Sequence, residues 1–71
     1  MSEQQKHAAI AANIDALATA LCDAFGSAAQ AREYMSLGQR NAAIGTIIDV
    51  EQRLNDAVAL VRAALALHRT H

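Results

Sequence analysis

The sequence predicts an all-α chain folded as an antiparallel two-helix hairpin, with helices over about residues 3–36 and 40–69. Three observations predict it. Proline is absent and aromatics make up only 3% of the 71 residues, while alanine supplies much of the 54% that is hydrophobic. Alanine is the best helix former and proline the strongest breaker. Two heptad seams of equal length run through the chain, and the glycine-bracketed stretch "SLGQRNAAIG", residues 36–45, lies between them.

The first seam steps through Ile10, Ile14, Leu17, Leu21, Ala24, Ala28, Ala31 and Met35, all apolar. Such a rhythm marks a long helix packed on another helix. The second runs Ala43, Ile47, Val50, Leu54, Ala57, Val61, Ala64 and His68, with only the last polar. Folding the chain so that Met35 faces Ala43 sets an alanine against a larger side chain in six of the eight facing pairs. Small against large is how facing layers fill space without voids.

Between the seams, Gly38 suits the left-handed position that follows a helix end. Asn41 or Ser36 is the expected cap of the second helix. A phosphate loop would need a preceding buried strand and a lysine beside Ser or Thr, and neither is present. Gly26 supports an alternative: a break there, with "SAAQ" at 27–30 acting as a capping box, gives a three-helix chain. The first seam passes Gly26 in phase, which favours one helix. Gly45 raises the same question and suits close approach of a neighbouring helix.

A chain of this length is one domain, residues 1–71. It struggles to build a core alone. One cysteine excludes an internal disulfide and fits a cytoplasmic location. No signal-peptide pattern opens the chain, and no unbroken apolar run approaches a membrane span, so a membrane is not an expected partner. One hairpin also leaves apolar residues over. Phe25, with Ala11 and Ala18, flanks the first seam. Ile44, Ile48, Val58 and Leu65 flank the second, and Leu60 and Leu67 lie further round the same helix. Two hairpins meeting as a dimeric four-helix bundle would cover them. Glu51 shares a heptad position with Ile44, Val58 and Leu65, where an acid specifies register or finds a basic partner. Asp49 stands four residues before Arg53, an ion-pair spacing.

Catalysis is not expected. No Ser/His/Asp set can be assembled, the carboxylates are solitary, and Cys22 has no neighbour to lower its pKa. No cofactor is expected. The expected function is a small non-catalytic protein–protein interaction module acting as a homodimer: a regulator, inhibitor or adaptor. Arg32, Tyr34 and Arg40 at the turn are its partner-binding candidates. Two alternatives follow from other residues. Arg53, Arg62 and Arg69 form a modest basic strip for RNA or DNA, but net charge is −1 and no basic block exists. His7, His68 and His71 gather at the open end of the hairpin, a candidate metal-responsive set. In size and architecture alone the chain resembles the repressor-of-primer family of dimeric helical hairpins, which bind an RNA loop pair. No motif carries over.

Overall fold

A computed structural model describes residues 2–70. It contains two α-helices, α1 (Glu3–Ser36) and α2 (Arg40–His68), packed against each other as an antiparallel hairpin. The rod measures 54 × 14 × 10 Å. At about 1.5 Å per residue, the 34 residues of α1 account for nearly the whole length.

The start of α1 is fixed by a reciprocal cap. Ser2 Oγ accepts from the Gln5 N–H and Gln5 Oε1 accepts from the Ser2 N–H, both at 3.1 Å. The helix then runs through Gly26 without a break, so the three-helix alternative does not hold. A β-carbon at Gly26 would meet open space, and the heptad phase on either side carries the helix across it. Gly26→Ala is therefore expected to stabilise the fold by about 1 kcal/mol, raising the melting temperature by about 5 °C, read by circular dichroism.

The turn is built by hydrogen bonds. The Gln39 N–H donates to the Tyr34 carbonyl at 2.8 Å and the Gly38 N–H to the Met35 carbonyl at 3.0 Å. This is the Schellman pattern, which satisfies carbonyls left over at a helix end. Gly38 has φ +74, a conformation that is strained for a side chain. Gly38→Ala should lower the melting temperature by about 5 °C, the opposite sign to Gly26→Ala. The expected caps of α2 are corrected. Gln39 occupies the N-cap and makes no side-chain cap bond. Asn41 already lies inside the helix, and Ser36 Oγ donates to the Glu33 carbonyl at 2.7 Å.

Half of each predicted seam faces inward. Ala24, Ala31, Ala43 and Ala57 are the buried residues, only 2–5% exposed. With Ile10, Leu17, Val50 and Ala64, all half-buried, they form the centre of the helix–helix contact. The other half is rolled outward: Ile14, Leu21, Met35, Ile47, Leu54 and Val61 are exposed. Asn13, Ala20, Ser27 and Tyr34 of α1, with Thr46, Arg53, Leu60 and Leu67 of α2, are half-buried in their place. The polar members find partners close by. Asn13 Nδ2 donates to the Ala9 carbonyl at 3.1 Å and Thr46 Oγ1 to the Ala42 carbonyl at 2.9 Å. A cross-helix ion pair lies on the side opposite the outward-rolled residues: Arg53 reaches Asp23 of α1 at 3.4 Å and Asp49 of its own helix at 2.9 Å.

By length and composition α1 is apolar enough to cross a membrane. Single polar residues such as Asn13, Asp15 and Asp23 interrupt the apolar stretch, so no unbroken run reveals it. Helices of soluble proteins meet the same test, and Asp23 is engaged with Arg53.

Candidate functional site

The rolled seam gives the hairpin two unlike sides. One open groove is lined by Asp15, Ala16, Thr19, Ala20 and Asp23 of α1 and by Arg53, Asp56 and Leu60 of α2. The other is lined by Leu17, Leu21, Leu54, Ala57, Val58, Val61, Arg62 and Leu65, and is almost wholly apolar. Beyond it, Ile14, Phe25, Met35, Ile44, Ile47 and Ile48 remain exposed. Phe25 is 74% and Ile48 64% exposed, high values for side chains that water disfavours.

Periodicity explains why these residues share a side, except Ile48, which lies nine residues before the buried Ala57 and so faces half a turn away from α1. On α2, positions 47, 54 and 61 repeat every seven residues beside the buried column 43, 50 and 57. Positions 44, 58 and 65 form the next column out. On α1, Ile14, Leu21 and Met35 form the matching inner column. Antiparallel packing turns both sets to one side of the rod.

The structure places the sequence-derived candidates as follows. Phe25, Ile44, Ile48, Val58 and Leu65 are exposed. Leu60 and Leu67 are half-buried between the helices, and Leu60 lines the polar groove, so these two lie off the apolar side. Ile14, Leu21, Met35, Ile47, Leu54 and Val61 belong to that side, although the seam pattern had assigned them inward.

At the turn, Arg32 and Arg40 are exposed. Tyr34 is half-buried, and its hydroxyl lies 3.3 Å from Gln30 Nε2, which donates to it. The segment Gly38–Ala42 forms a shallow open concavity there. Gly45 faces open space, so it admits no neighbouring helix within the hairpin.

The basic strip does not lie on one face. Nine residues separate Arg53 from Arg62, about half a turn beyond two full turns. They therefore occupy opposite sides of α2. Arg53 is also engaged by carboxylates. Its hydrogen bond to Asp49, then the charge of Asp49, raise its pKa further above its ordinary value. Both partners are open to water, so Arg53→Ala should change stability little, checked by thermal melting.

His7 and His68 are exposed. His71 lies outside the described residues, and with it the expected gathering of three imidazoles. Among the described residues no three His, Cys, Asp or Glu side chains form a metal-binding group. Cys22 is exposed.

No protein-family model, curated protein or solved structure matches the chain.

Proposed function

We propose that the protein is a small non-catalytic protein–protein interaction module that works as a homodimer, its two hairpins meeting through the apolar side as a four-helix bundle. The carrying observation is the mismatch between what the hairpin buries and what it leaves in water. Among the described residues the buried ones are four alanines, and no large side chain is fully buried. Its large aliphatic side chains are concentrated on one side instead.

Surface area supports the same reading. The chain exposes 5334 Å², against roughly 4,200 Å² for a compact folded chain of its mass. Its radius of gyration is 16.2 Å, against about 11 Å for a compact domain of this length. The surplus, on the order of 1,000 Å², is comparable to the roughly 800 Å² per partner of a standard interface. Covering the apolar side leaves the turn free, with Arg32, Tyr34 and Arg40 as the surface offered to a further protein.

Affinity capture from the native host tests the reading, using tagged wild type beside an Arg32→Ala/Tyr34→Ala/Arg40→Ala variant. The expected result is a defined protein that wild type retains and the variant loses, with dimerisation unchanged. Retention of nucleic acid instead, weakening steeply with salt, would contradict it.

A further inference from the structure

Resting on the homodimer reading, we infer that the second copy docks antiparallel, with the two turns at opposite ends, and that Glu51 of each chain pairs with the partner's Arg62. The exposed stripe of α2 runs Ile44, Ile47, Glu51, Leu54, Val58, Val61, Leu65 and His68. Glu51 is its one acid. An acid enclosed by an apolar interface is costly unless a counter-charge meets it.

The stripe's own spacing locates that counter-charge. A two-fold axis across the rod sets α2 antiparallel to the partner's α2. The stripe then faces itself only in registers one heptad apart. The register with most overlap sets Leu54 against the partner's Val58, Ile47 against the partner's Leu65, and Glu51 against the partner's Val61. Arg62 is the next residue, and it already lines the apolar groove. Glu51 and the partner's Arg62 thus come level to within about one residue rise, 1.5 Å. Symmetry makes the pair twice.

The other arrangement, with both turns at one end, sets α2 against the partner's α1. The cation of that helix nearest Glu51 is then Arg32, five to seven residues or about 8–10 Å along the axis. It also crowds Arg32 and Arg40 of both chains at one tip. Charge and level both favour the antiparallel form.

Pulsed dipolar spectroscopy on a Cys22→Ser/Gln39→Cys chain, nitroxide-labelled at the turn, reads the orientation. Opposite turns should lie near the 54 Å rod length apart. Turns at one end would lie about 20 Å apart, two helix diameters, and would overturn the inference while leaving the homodimer intact. Charge exchange gives a second reading. Glu51→Arg and Arg62→Glu should each weaken dimerisation about 10-fold or more, and the double variant should return to within a few-fold of wild type. No recovery in a double variant that keeps its helical content would overturn the pairing. A solitary wild-type chain that floats with phosphatidylcholine vesicles would assign the face to lipid and overturn both readings.

Discussion

Under the proposed homodimer, Leu54→Asp is expected to separate the two copies, because its side chain lies outside the buried contact between α1 and α2. Leu54 lines the apolar groove and is 46% exposed in the single hairpin. The cost therefore falls on what covers it. Symmetry removes two leucines from the interface, each with about half of its roughly 2 kcal/mol of full burial left to gain there. The dissociation constant should rise by about 30-fold, before the charges introduced there add their own penalty. Sedimentation equilibrium over a concentration series checks it, with Gln52→Asp on an exposed outer position as the control. An unchanged dissociation constant in Leu54→Asp would remove the apolar side from the interface.

Ala57→Leu is expected to destabilise the hairpin itself. Ala57 is 5% exposed at the contact between the helices, where a larger side chain presses on α1. Overpacking of this kind costs about 1–3 kcal/mol, a fall of about 5–15 °C in melting temperature for a domain of this size. Ala59→Leu adds the same atoms on an exposed position of the same helix and should leave the melting temperature within about 3 °C of wild type. Thermal melts at matched protein concentration compare the two. An equal or higher melting temperature for Ala57→Leu would mean that the helices do not approach through their alanines.

These two residues also show what the sequence discloses. Helix boundaries, the turn at Gly38 and the Asp49–Arg53 pair were legible because each depends on neighbours within one or two turns. Ala57 was legible as a contact residue because its column lies at the centre of the seam. Leu54 was not legible as outward-facing. A heptad pattern identifies a stripe on each helix but leaves free the roll of one helix about its own axis. Alanine columns tolerate several rolls, since they offer little shape to choose between them. The observed roll collects Ile14, Leu21, Met35, Ile47, Leu54 and Val61 on one side and carries the Asp23–Arg53 pair toward the other. Arg53, half-buried in the seam yet charged, was the available signal: a guanidinium near a helix–helix seam asks for carboxylates on the facing helix, and Asp23 supplies one.

The same roll leaves the hairpin poor in buried apolar surface, and under the proposed homodimer it couples folding to assembly. A species stabilised by its own second copy melts at a temperature that rises with concentration. Sedimentation equilibrium of the wild-type chain tests this claim most directly. The account predicts a species of twice the 7.5 kDa chain mass, dissociating on dilution with loss of helical signal. A single-chain mass at high concentration, with the helices intact, would contradict it.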